Sequence, residues 1–163
     1  MKMFSYRRWP AVAGIVFTVI LIAGEAPAGS WNGIEPFKSR RADVIKILGE
    51  PIGESPEGVL RFPVMGGSVQ VSFVDQKLVA TKKMRPELEG TVLQIVLQHD
   101  RSTETPESMK LMENRAFTRD DSQASGAIFR NTKEGIVYTF FQGKLRSTRY
   151  TFTDEQLTKM RRY

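Results

Sequence analysis

Hydrophobic and polar positions follow two different periods along this chain. Within residues 38–51, Val44, Ile45 and Leu48 stand at i, i+1 and i+4, which lines one face of a 3.6-residue helix. Gly49 can take the left-handed conformation past the last turn, and Pro51 cannot continue the helix. The spacing therefore predicts a helix over about residues 40–48. Beyond it the period drops to two. Residues 59–62 (VLRF) and 69–73 (VQVSF) read as strands joined by a glycine-bearing turn at 65–68. Asp75-Gln76 is expected to turn the chain into the next hairpin segment, 77–84, and residues 85–90, with Pro86, connect onward. Residues 91–98 alternate again, with Leu93, Ile95 and Leu97 on one face and Gln94, Val96 and Gln98 on the other.

The second half repeats this style. Residues 99–108 are polar and contain Pro106, which predicts a loop; a short helix over 106–113 would carry Met109 and Met112. Residues 117–125 read as irregular. Residues 128–130 and 136–141 form a hairpin through a turn at 131–134, and Gln142-Gly143 turns the chain into a strand over 144–152. Thr153 and Gln156 stand at N-cap and N3 of a capping box, so a terminal helix runs to about 161 with Leu157 and Met160 inward. Trp31 and Phe37, in a lead-in over 29–37, are expected to pack on the domain. The fold class is α+β: short helices on a mainly antiparallel sheet, one domain over 38–163. Gly58 to Leu78 and Gly126 to Leu145 share a plan of glycine, strand, glycine turn, strand, two-residue turn and Lys-Leu. If that repeat holds, the domain contains two tandem helix-and-hairpin units, about 38–98 and 106–161.

Ahead of the domain the pattern changes. Lys2, Arg7 and Arg8 precede an apolar run over residues 11–23, short of the ~20 residues that span a bilayer and near the length of a signal-peptide core. Ala26 and Ala28 place small residues at −3 and −1, so cleavage is expected between Ala28 and Gly29, with residues 1–28 a signal peptide. The destination is periplasmic or secreted; an uncleaved N-terminal membrane anchor is the alternative.

Composition narrows the chemistry. Cysteine is absent and His99 is the one histidine, which leaves no thiolate nucleophile and no imidazole cluster for zinc. No cofactor is signalled. His99 could act as a general base with Asp100 or another nearby carboxylate, but the expectation is a surface histidine. Asp120-Asp121 lacks the spacing of a calcium loop and reads as a solvated turn. The net charge of +6 suits an anionic partner. Lys144, Arg146, Arg149, Lys159, Arg161 and Arg162, with Tyr150 and Phe152 interleaved, make the C-terminus basic. An export signal argues against nucleic acid. Anionic lipid, lipopolysaccharide or an acidic protein face fits better, with Arg146 and Arg149 the expected partner surface.

The run Ser39-Arg40-Arg41-Ala42-Asp43-Val44 through Leu48-Gly49-Glu50-Pro51, after Gly33-Ile34, resembles the helix-plus-LGxP motif of the SmpA/OmlA-like small envelope lipoproteins. That resemblance implies the fold of the β-lactamase inhibitory protein, built from tandem helix-and-sheet units. It covers about residues 33–51 and the hairpins that follow. The family usually has Ser or Thr where this chain has Arg40, a poor N-cap, so either Ser39 caps a slightly longer first turn or the cap is lost. The lipid-bearing Cys is missing, which departs from the family's anchored role. The functional expectation is an exported, non-catalytic binding or assembly module of the bacterial cell envelope. The alternatives are an enzyme built on His99 with nearby carboxylates, and an inhibitor of an extracellular enzyme.

Overall fold

The computed structural model describes residues 29–121 and 126–161. The expected leader and Ala28 of the cleavage position lie outside the described residues, as does Arg162. Gly29 is the first described residue, and a Cβ there would collide with the Thr151 carbonyl oxygen.

Helix α1 (Arg41–Leu48) forms where the stripe predicts it, with Val44 fully buried and Ile45 and Leu48 half-buried against the same cluster. Its entrance is built differently from the expectation. Arg40 is the N-cap and has no acceptor to offer, so the box is one-sided: the Asp43 carboxylate accepts from the Arg40 backbone N–H at 2.8 Å. Ser39 instead accepts from the Glu35 N–H at 2.9 Å. The Arg40 guanidinium is spent on the Glu87 and Glu89 carbonyls, at 3.0 and 3.1 Å. At the exit Gly49 has φ +83° and ψ −164°, an extended positive-φ region that is essentially glycine-only, not the left-handed helical one.

Eight strands follow: β1 (Gly53–Glu54), β2 (Leu60–Val64), β3 (Gly67–Phe73), β4 (Val92–His99), β5 (Thr118–Asp120), β6 (Gly126–Asn131), β7 (Ile136–Phe141) and β8 (Lys144–Thr151). All pairings are antiparallel, and the order across the single sheet is β1-β2-β3-β4-β8-β7-β6-β5. The β4–β8 pair is the seam that joins the two halves.

The segment 77–84 is not a strand. Helix α2 (Gln76–Thr81) occupies it, because the Asp75 carboxylate accepts from the Leu78 N–H at 2.6 Å and caps the first turn. A 3-10 turn over Pro86–Leu88 then leads into β4. The two copies of Lys-Leu therefore diverge: Lys77-Leu78 is helical, whereas Lys144-Leu145 opens β8. Residues 106–113 form turns and no regular helix; Lys110 has φ +54°, and Leu111 is buried while Met112 stays exposed. Part of the span expected to be irregular is ordered as the edge strand β5. Helix α3 (Asp154–Met160) begins with the expected capping box: Thr153 Oγ1 accepts from the Gln156 N–H at 3.1 Å, and the Gln156 side chain accepts from the Thr153 N–H at 2.8 Å.

Strand register divides the sheet into two faces. One face packs the first core cluster (Ile34, Leu60, Phe62, Val69, Val71 and Ile95, with Val44 of α1). Farther along that face lies the third cluster, in which Leu111 from the turns covers Phe129, Phe140 and Leu145. The second cluster closes one end of the sheet, where Phe37, Val74, Met84 and Leu88 are buried with Leu78 and Met160 against them. Trp31 packs on the first cluster, and the Phe37 ring stacks on Phe152 with centroids 4.8 Å apart, so both lead-in aromatics are packing residues.

Candidate functional site

Away from the end where α2 and α3 pack, the opposite face of the sheet bears none of the three core clusters found among the described residues. On β2 and β3 alternation puts polar side chains there between inward-facing neighbours: Arg61 lies between Leu60 and Phe62, Gln70 between Val69 and Val71. The register turns these positions into a transverse row. Arg61 pairs with Gln70, Gln70 with Val96, Val96 with Arg149, Arg149 with Val137, and Val137 with Arg130. The row contains three arginines and no acid. At about 4.8 Å per strand step, Arg61 and Arg149 stand roughly 14 Å apart. Arg61 and Arg149 are exposed. Neither makes a salt bridge among the described residues, whereas Arg130 reaches Asp120 at 3.3 Å.

The two arginines singled out from the sequence separate here. Arg149 belongs to the row. Arg146 sits at an irregularity where Thr139 pairs with Ser147 and Phe140 with Leu145, so it has no partner on β7 and is exposed outside the row. Arg61 and Arg130 were not legible as site residues. Their signal was only a polar residue within an alternating strand, and what aligns them is the pairing of strands distant in sequence.

His99 ends β4. Its Nε2 meets Thr148 Oγ1 at 2.9 Å across the seam, and burial pushes its pKa below the ordinary value. It is half-buried and bonded to a hydroxyl, not convergent on two acids; Asp100 beside it is exposed. Asp120 and Asp121 are engaged by arginines, Asp120 with Arg130 and Asp121 with Arg119 at 2.7 Å. Among the described residues no group of three His, Cys, Asp or Glu side chains is placed to hold a metal ion.

Where the open face meets α2 and α3 there is a cleft of about 430 Å³. Gln94 and Thr151 of the sheet form its floor, and the exposed Arg149 stands beside them. Leu78, Lys82 and Met84 wall one side, and Leu157 and Arg161 the other, while the Phe37–Phe152 stack closes the end. An isolated bridge between Met84 and Arg161, and a bond from the Arg85 N–H to the Met160 carbonyl at 3.1 Å, tie the two walls together.

Known proteins add no relative. Neither the protein-family models, nor the curated proteins, nor the solved structures contain a match to this chain. Among the described residues no helix is long and apolar enough to cross a membrane.

Proposed function

We propose that this chain is an exported binding or assembly module of the bacterial cell envelope, and that it engages an anionic partner through the open face of its sheet. The observation that carries the reading is the transverse row of Arg61, Arg149 and Arg130. Within the row Arg61 and Arg149 make no salt bridge among the described residues, and exposed cations on an open face steer an oppositely charged partner and fix its register. Export rests on the N-terminal pattern of charge, apolar run and small residues. The resemblance to the SmpA/OmlA-like proteins points the same way. The tandem-unit reading is part of this proposal. It is supported by the mirrored strand order about the β4–β8 seam, and by β2–β3 and β6–β7 as corresponding hairpins.

The test is affinity capture from an envelope fraction. The native chain should retain a partner that elutes as salt rises, because screening weakens exposed charge pairs. Arg149→Glu should lose it, Arg146→Glu should weaken it less, and His99→Ala should keep it. Loss of the biological role in a folded His99→Ala variant, with Arg149→Glu silent, would replace this reading with the enzyme one. Capture of a secreted enzyme whose activity falls on binding would favour the inhibitor reading.

A further inference from the structure

The cleft beside the row combines two properties that rarely meet on a solvated surface. Its walls leave apolar side chains partly uncovered: Leu78, Leu93, Phe152 and Leu157 are each half-buried. Its rim carries Lys82, Arg149 and Arg161, all exposed, with no acidic residue in the lining. None of the three cations makes a salt bridge or a side-chain hydrogen bond among the described residues. They come from three separate elements, so no single amphipathic segment explains their convergence. A volume of about 430 Å³ lies within the range of small-ligand sites, which are mostly apolar with a few placed polar groups. Phe37 also holds φ +61°, a costly conformation for a bulky residue, and in it the ring lies flat on Phe152 as the apolar end wall.

From this charge complementarity we infer that the cleft binds a single-chain amphiphile with an anionic head, phosphate or carboxylate. The chain lies along Leu78, Leu93, Phe152 and Leu157, and the head group sits among Lys82, Arg149 and Arg161. Long cationic side chains suit the rim, because their stems extend the apolar wall while the charges stay in water. The inference deepens the binding reading above and rests on its anionic partner class, but it names a small ligand and a cleft that shares only Arg149 with the row.

Isothermal titration of the full chain with dodecyl phosphate, below its micelle concentration, tests it. One equivalent should bind, dodecyl maltoside should bind far more weakly, and inorganic phosphate should give no measurable heat. The triple variant Lys82→Gln, Arg149→Gln, Arg161→Gln should raise Kd about tenfold, since three exposed charges each contribute modestly. Leu157→Asp should abolish binding with the circular dichroism spectrum retained. Lys46→Gln, an exposed position on α1 outside both the row and the cleft, should leave Kd unchanged. Equal affinity for the maltoside, an unaffected triple variant, or a glutamate-rich peptide binding as tightly as dodecyl phosphate would each overturn the inference. Envelope capture that still depends on Arg149 while dodecyl phosphate does not bind would remove the cleft ligand and leave the binding module standing.

Discussion

The two halves of the sheet solve one problem with different materials. Over β2–β4 the cover is a helix, whose backbone satisfies itself and which needs only to present Val44, Ile45 and Leu48. The result is a mainly aliphatic cluster, with Leu60, Val69, Val71 and Ile95 fully buried. Over β6–β8 the cover is a run of turns. Its backbone must be tied down bond by bond: Leu111 N–H to the Pro106 carbonyl at 2.9 Å, Leu145 N–H to the Glu104 carbonyl at 2.9 Å, and Thr105 with Ser108 reciprocally at 3.0 and 3.1 Å. The cluster beneath it relies on rings. Phe129 and Phe140 meet edge to face at 5.7 Å, and Phe117 tilts on Tyr138 at 5.6 Å. A helical cover supplies rigid, closely spaced knobs, whereas an irregular cover reaches less deeply and large aromatics fill the difference.

That contrast can be broken by truncation, which should have the largest effect. Leu60→Ala, under the rigid helix, should cost toward the upper end of about 2–5 kcal/mol, because its surroundings cannot close the cavity. Leu111→Ala, on the irregular cover, should fall toward the lower end, since the turns can settle inward. Leu48→Ala removes a half-buried side chain and should cost less than Leu60→Ala. Urea denaturation of the three variants measures this, and a larger cost at Leu111 than at Leu60 would reverse the comparison.

The next effect sharpens it at the backbone. Gly49 leaves the helical cover at a glycine-only conformation with open space around it, so Gly49→Ala should cost about 1–3 kcal/mol through strain alone. Lys110 holds positive φ inside the irregular cover, so Lys110→Gly should leave stability unchanged or slightly raised. Melting temperatures of the pair report both signs.

The smallest effect lies at the seam. Burial lowers the pKa of His99 below the ordinary 6.5, so the unfolded chain binds its proton first as pH falls. The contribution of a neutral His99 is complete above about pH 6.5 and declines below it. Denaturant midpoints at pH 7.5 and 5.5 should differ less in His99→Gln than in the native chain. An identical difference would show that the His99–Thr148 contact carries no linkage.

What could be read from the residues alone was local. The α1 stripe, the Thr153–Gln156 box and the alternation of β3 and β4 each depend on side chains within a few positions of one another. The Asp75 cap was equally local, but Lys77-Leu78 looked like its counterpart Lys144-Leu145, and the repeat hid the helix. The rest depended on strands and segments meeting across long sequence separations. Arg61, Arg149 and Arg130 fall into one row only because antiparallel registers are set pair by pair across the sheet. Lys82, Arg149 and Arg161 share a cleft only because α2 and α3 dock against one end of the sheet. Capping and periodicity act through bonds and contacts a turn apart, so the chain displays them directly. Register and docking are settled by which apolar faces can be buried together, and that is a property of the whole fold.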